Sequence, residues 1–250
     1  MCLIAIAIDQ NPEYPFILIA NRDEFYERPT EGAHFWKDQP NLLAGRDLKA
    51  YGTWLGVSVE GKIAALTNFR EPSEPDKEQS RGELPVRFLT QNVEAYDYLV
   101  NLQSLKANYN GFNLIAGRFD ELYYYSNREN EVRKIQEGIH AVSNHLLNTS
   151  WPKVNLLKEN LSTYLSQNED PVPEELLKLL DHEVVALDRD LPDTGISLEW
   201  ERMLSSIYIQ SNTYGTRAQT IIMVSNTGEV TFVEKAGKNI NKFQFFIDPS

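Results

Sequence analysis

The chain has 250 residues, 42% of them hydrophobic and 24% charged, enough to bury roughly 70–75% of the surface its unfolded form would expose and to build a core without staples. Lys and Arg number 24 against 36 Asp and Glu, a net charge of −12 that disfavours nucleic acid and anionic membrane surfaces, which both need clustered cations. The one cysteine, Cys2, excludes an intrachain disulfide and any cysteine-rich metal or iron–sulfur site.

In chain order, Leu3–Ile8 and Phe16–Ala20 are apolar, β-branched runs separated by Asp9-Gln10-Asn11-Pro12, which predicts a buried hairpin at the start of the chain. The run after Met1 has no basic leader and stops at Asp9, so it is not a signal peptide, and no apolar stretch reaches the length of a membrane span. The expectation is a cytoplasmic protein, in which the Asn-x-Ser matches at Asn148 and Asn160 are chance. Asn21–Ala50 reads as a long functional loop, dense in charge and aromatics. Thr53–Val59 and Lys62–Thr67 flank Glu60-Gly61 as a second hairpin. Glu71–Arg81, with Pro72 and Pro75, reads as a solvated connector.

Helical spacing follows at Leu84–Leu89 and at Val93–Leu102, the second capped by Asn92. Phe112–Ala116, Glu121–Ser126 and Ile139–Ser143 return to strand character. Trp151–Leu165 is an amphipathic helix on Val154, Leu157, Leu161 and Leu165, and Glu174–Leu180 is a shorter one opened by Pro173. Thr220–Ser225 and Val230–Val233 form a hairpin across Asn226-Thr227-Gly228, and Phe243–Ile247 is a last strand. Hairpin-linked strands interleaved with helices imply an α+β layout with antiparallel sheets. No repeat or linker divides residues 1–250, which read as one domain.

Phosphate-loop, dinucleotide and Gly-x-Ser-x-Gly motifs are absent from the sequence, and the four histidines, His34, His140, His145 and His182, show no metal-binding spacing. No metal or cofactor is expected. Cys2 alone reads as a small side chain opening a buried strand. It also permits a particular chemistry: aminopeptidases remove Met before small second residues, leaving one residue with both a thiol and an α-amino group. That amine has a pKa of about 7.7–8.0 and can serve as the base. Asn21-Arg22-Asp23-Glu24 closes the second strand and returns beside Cys2, where Arg22 can favour the thiolate and Asp23 can orient the amine. Asn68, Asn144 and Arg217 also lie at the ends of apolar strands. Asparagine amides there can donate to a developing oxyanion, although each residue taken alone reads first as a turn residue.

Met-Cys at the start, Ala20-Asn21-Arg22-Asp23-Glu24-Phe25, Leu66-Thr67-Asn68-Phe69-Arg70, Phe112-Asn113-Leu114, Gly138-Ile139-His140-Ala141-Val142-Ser143-Asn144 and Thr216-Arg217 together resemble the NRDE, or transport and Golgi organization protein 2-like, family over nearly the whole chain. That family is similar to N-terminal nucleophile hydrolases of the choloylglycine hydrolase and penicillin acylase type. The resemblance implies a four-layer αββα sandwich with two mainly antiparallel sheets and cleavage of a linear amide or thioester of a small or acyl-chain substrate. It assigns Cys2 as nucleophile, Arg22 and Asp23 as the charged pair, Asn144 as the oxyanion residue, Asn68 as a lining residue and Arg217 as the late arginine. In the hydrolase group two residues separate the arginine from the aspartate. Here they are adjacent, so a regular strand sends them to opposite faces.

The family's links to membrane traffic, haem handling and lipid metabolism imply an alternative, a non-catalytic carrier of haem or an apolar acyl ligand. Phe25, Tyr26, Trp36 and Trp54 would line its cleft, and the histidines or the three methionines would be its only haem ligands.

Overall fold

A computed structural model describes residues 2–247. Strands β1 (Cys2–Ile8) and β2 (Phe16–Phe25) form the opening hairpin, paired from Cys2↔Arg22 to Ile8↔Phe16. The chain then runs through a seven-stranded meander: β3 (Thr30–Phe35), β4 (Leu42–Asp47), β5 (Leu55–Ser58), β6 (Lys62–Asn68), β7 (Phe112–Arg118), β8 (Glu121–Ser126) and β9 (Val132–Lys134). It returns to the first sheet with β10 (Gly138–Val142), β11 (Tyr214–Val224), β12 (Glu229–Ala236) and β13 (Asn239–Phe246), in the order β10-β1-β2-β11-β12-β13. Every pairing in both sheets is antiparallel.

Helices α1 (Glu83–Thr90) and α2 (Ala95–Leu105) interrupt the meander, and α3 (Pro152–Gln167), α4 (Pro173–Leu179) and α5 (Leu198–Met203) lie between β10 and β11. Side-chain alternation along β1 and β2 decides the layering. Ile4, Ile6, Phe16 and Leu18 point at the meander and pack with Val57, Ile63, Ile115 and Tyr124. The intervening Leu3, Ala5, Ile17 and Ile19 point the other way, onto Leu157 and Leu161 of α3 and Leu176 of α4. On the meander's far side, Leu84, Phe88, Leu99 and Leu102 of α1 and α2 cover Ala64, Leu114 and Ala116. The result is a helix–sheet–sheet–helix sandwich with α+β order, in which each fully buried Leu, Ile or Phe contributes roughly 1.5–3 kcal/mol. No helix among the described residues is long and apolar enough to cross a membrane.

The segment read as a loop from Asn21 to Ala50 is largely strand. β2 continues to Phe25, and β3 and β4 follow. β3 is the edge of the meander, and its register with β4 shifts between Glu31 and His34, so its sequence lacks clean alternation. Helix α2 begins at Ala95, so Asn92 does not cap it; Glu94 occupies the cap position without a side-chain hydrogen bond. β11 starts at Tyr214, which places Arg217 inside the strand rather than before it, at a bulge between Thr216 and Ala218.

Candidate functional site

Cys2 shares the face of Ile4 and Ile6, so its side chain points between the sheets, and it is 8% exposed. On one side its direct cross-strand neighbour is Arg22. On the other, the β1–β10 pairing ends at Ile4↔Val142, and Ser143 and Asn144 follow directly from that end of β10. Ser143 Oγ lies within hydrogen-bond distance of both, 3.1 Å from the Cys2 carbonyl and 3.2 Å from Asn144 Oδ1, with one hydroxyl hydrogen to give.

Arg22 is 6% exposed. Its guanidinium lies 4.1 Å from the centre of the Trp54 ring, and Nη2 is 3.7 Å from Asp47 Oδ2. The indole needs Gly45 beneath it, since a Cβ there would come within 2.3 Å of the ring. Asp47 also receives Arg28 Nη2 at 3.2 Å and the Lys49 and Ala50 amides at 3.0 and 2.7 Å. Burial pushes the Asp47 carboxyl up, but the hydrogen bonds from Arg28 and Ala50 outweigh it and hold the group below its usual range.

A cleft of about 130 Å³ opens over these groups, lined among others by Cys2, Arg22, Trp54, Asn68 and Arg81. One wall is made by two segments in near-contact. The Thr53 amide donates to Gly82 O at 3.0 Å, and a Cβ on Gly52 would lie 2.4 Å from the Gly82 carbonyl atoms.

Asp23 side-chain contacts lie on the opposite face of β2, as adjacency on a strand requires. It is 1% exposed, and Thr216 Oγ1 donates to Oδ1 at 2.7 Å. Burial raises its pKa, opposed chiefly by Lys153. Burial likewise pushes the Cys2 thiol up, and Arg22 offsets this only in part, so the expected gain in thiolate beside Arg22 is outweighed by desolvation.

Asn68 and Asn144 meet: Asn144 Nδ2 donates to Asn68 O at 3.0 Å, and the Arg70 amide donates to Asn144 O at 2.8 Å. The ends of β6 and β10 are thereby joined beside Cys2. Arg217 does not line the cleft. Its Nη1 donates to Phe25 O at 3.1 Å and to Arg28 O, bracing the turn after β2. The four aromatics do not assemble into one wall. Trp54 lines the cleft, whereas Phe25 and Tyr26 are exposed outside it. Trp36 is buried under α1 and α2, its indole N–H bonded to Ala44 O at 3.0 Å, because the apolar layer beneath those helices draws it in.

The sequence reading overlooked Arg28, Asp47, Arg81 and Lys153. Arg81 ends the stretch read as solvated, yet it is half-buried and donates to Gly111 O at 3.0 Å. Lys153 carried a signal, since steps of four from it reach Leu157, Leu161 and Leu165, placing a cation at the head of the apolar stripe of α3.

The profile of the Transport and Golgi organisation 2 family matches residues 1–239. The mouse Transport and Golgi organization 2 homolog is 36% identical over 260 residues, covering 94% of this chain and 93% of its own. The human homolog is 37% identical over the same length and with the same coverage, and the Drosophila melanogaster protein is 26% identical over 259 residues, covering 94% of this chain and 92% of its own. Among solved structures, the C2A mutant of conjugated bile acid hydrolase from Clostridium perfringens superposes with a TM-score of 0.55 at 9% identity, covering 98% of this chain and 92% of that one. The fold is therefore that of the N-terminal nucleophile hydrolases. By profile and by identity over nearly its whole length, the chain belongs to the Transport and Golgi organisation 2 family.

Proposed function

We propose that the chain is a cysteine N-terminal nucleophile hydrolase that cleaves a linear amide or thioester of a small or acyl-chain substrate. The observation that carries this reading is the position of Cys2, whose side chain lines a cleft beside buried Arg22 rather than trailing into solvent. The hydrolase of similar fold, whose name states that it acts on conjugated bile acids, adds support as a scaffold for such chemistry.

Removal of Met1 gives Cys2 a free α-amino group. That nitrogen takes the thiol proton, and the sulfur bonds to the substrate carbonyl carbon. Asn144 spends one of its two amide hydrogens on Asn68 O, which leaves the second for the oxyanion, and the Asn68 side chain is the other donor. Collapse of the adduct breaks the C–N bond, and the leaving nitrogen takes the proton from the α-ammonium. For a thioester, the C–S bond to the leaving thiol breaks instead. Water then adds to the acyl-enzyme, giving one proton to the α-amine, and the C–S bond to Cys2 breaks to release a carboxylic acid and restore the thiol. Arg22 offsets part of the burial that disfavours the thiolate, and Asp23 orients the amine.

Intact mass of the native protein and labelling by a thiol-directed acylating probe, in wild type and Cys2→Ala, test this. Loss of Met1 with labelling only of wild type supports it. Retained Met1 or equal labelling of both overturns it. The carrier reading draws less support, because Phe25, Tyr26 and Trp36 lie outside the cleft.

A further inference from the structure

Three segments far apart in sequence meet around a second, smaller cavity: the corner after β6, the start of α3 and helix α5. Its volume is about 10 Å³, room for one atom-sized occupant, and its lining includes Arg70, Trp151, Lys153, Glu201, Leu204 and Ser205. Both cations in that lining are short of partners. The Arg70 side chain is 6% exposed, and its Nη1 donates to Glu201 at 2.8 Å. Nε and Nη2, the other edge of the guanidinium fork, make no hydrogen bond to any described residue. Lys153, the second residue of α3, is 3% exposed, and its ammonium has no hydrogen bond to any described residue either. Buried cationic donors in that state are costly unless an anion meets them. Asp23 of β2 and Glu201 lend negative potential at Lys153. Glu201 is already bonded to Arg70 Nη1 and to the Thr194 amide and hydroxyl, at 2.9 and 2.5 Å. Ser205 Oγ donates to Arg202 O at 2.6 Å and accepts the Ala186 amide at 2.9 Å. The start of α3, a 16-residue helix, adds positive potential of its own at the cavity.

We propose that this cavity binds a single chloride ion, held by Arg70 Nε and Nη2, by the Lys153 ammonium and by the positive end of α3. The three open donors set the sign of the occupant, and the volume excludes polyatomic anions such as phosphate or sulfate. A water molecule fits the donors less well. It accepts through two lone pairs, one fewer than the donors present, and it brings two hydrogens that the Trp151, Pro192 and Leu204 walls do not accept. A spherical anion accepts from all three at once. Burial pushes Arg70 down and Lys153 down to about 8, and a bound anion counters both shifts. The ion fastens the Arg70 corner, whose amide holds Asn144 O, to α3 and α5. None of this draws on the hydrolase reading.

The test follows the melting temperature of the full chain as sodium gluconate is replaced by sodium chloride at constant ionic strength. The expected result is a saturable rise, about 5–10 °C once chloride exceeds its dissociation constant about 100-fold. Lys153→Met removes the ammonium and Arg70→Lys removes the fork, and each should abolish most of the rise whatever its own starting stability. Lys238→Met, on the exposed surface, should keep it. Wild-type crystals grown from sodium bromide locate the ion, so the matter does not rest on variants that fold poorly. An anomalous peak within hydrogen-bond reach of Arg70 Nε and Lys153 Nζ supports the proposal. A water there, or a melting temperature that does not distinguish chloride from gluconate, overturns it. A bromide peak without any chloride dependence of melting is an adventitious ion only and overturns it as well. So does a chloride-dependent rise that survives in both Lys153→Met and Arg70→Lys, which would put the ion elsewhere.

Discussion

Arg70 and Glu201 form an ion pair with side chains 6% and 4% exposed, joining the corner beside Asn144 to helix α5. Arg70→Met removes the 2.8 Å bond and leaves Glu201 with the two Thr194 donors as its hydrogen-bond partners among the described residues. Breaking a buried pair from one side costs about 3–5 kcal/mol, because the remaining charge is uncompensated. At about 2–4 °C per kcal/mol for a chain of this size, the melting temperature should fall by about 6–20 °C. The double variant Arg70→Met with Glu201→Gln keeps an acceptor for Thr194 and removes the stranded charge, so it should recover most of the loss. Urea unfolding with linear extrapolation measures both. A single variant that loses less than about 1 kcal/mol, or a double variant no better than the single, would refute the reasoning.

Three further outcomes follow from the same geometry. Gly52→Ala drives a Cβ into the Gly82 carbonyl, so it should part the Thr53–Gly82 contact and raise the rate of Cys2 alkylation at fixed pH; an unchanged rate would contradict the wall assigned to that contact. Trp36→Ala should cost about 3–5 kcal/mol in urea unfolding yet leave acyl-probe labelling per folded molecule unaltered, and a selective loss of labelling would restore Trp36 to the ligand site. Glu234, whose Oε1 accepts the Ala33 amide at 2.6 Å, is pushed up by burial. Its protonated form therefore stabilises the fold fully below the ordinary carboxylate range, and that stabilisation is lost as pH rises through the folded pKa. Glu234→Gln keeps the acceptor and does not titrate, so its stability relative to wild type should increase between pH 4 and pH 8; a constant difference would count against it.

The parts of the fold legible in the sequence are those where one periodicity dominates. The β1–β2, β5–β6 and β11–β12 hairpins and helix α3 follow directly from alternation or three-and-four spacing. Strands β3 and β4 were hidden because Gly32, the shift between Glu31 and His34 and a charged edge erase alternation there. Helix α5 is six residues long, too short to show a period, though Ser197 marks its start by accepting the Trp200 amide. For the site, strand alternation anticipated that Arg22 and Asp23 part company. It could not give Arg81 or Asp47, whose burial depends on which loops close over the cleft. Nor could charge balance foresee that desolvation, a property of packing, outweighs Arg22 at the Cys2 thiol.

Each face of the Arg22–Asp23 step has its own tryptophan: Trp54 lies against Arg22 on the cleft side, and Trp151 against Arg70 on the helix side, 5.0 Å from its guanidinium. Two of the chain's four tryptophans thus serve as native fluorophores, one for each compartment. With Trp54→Phe and Trp151→Phe as paired blanks, emission changes on adding a candidate compound can be apportioned to the thiol side or the ammonium side without attaching any dye.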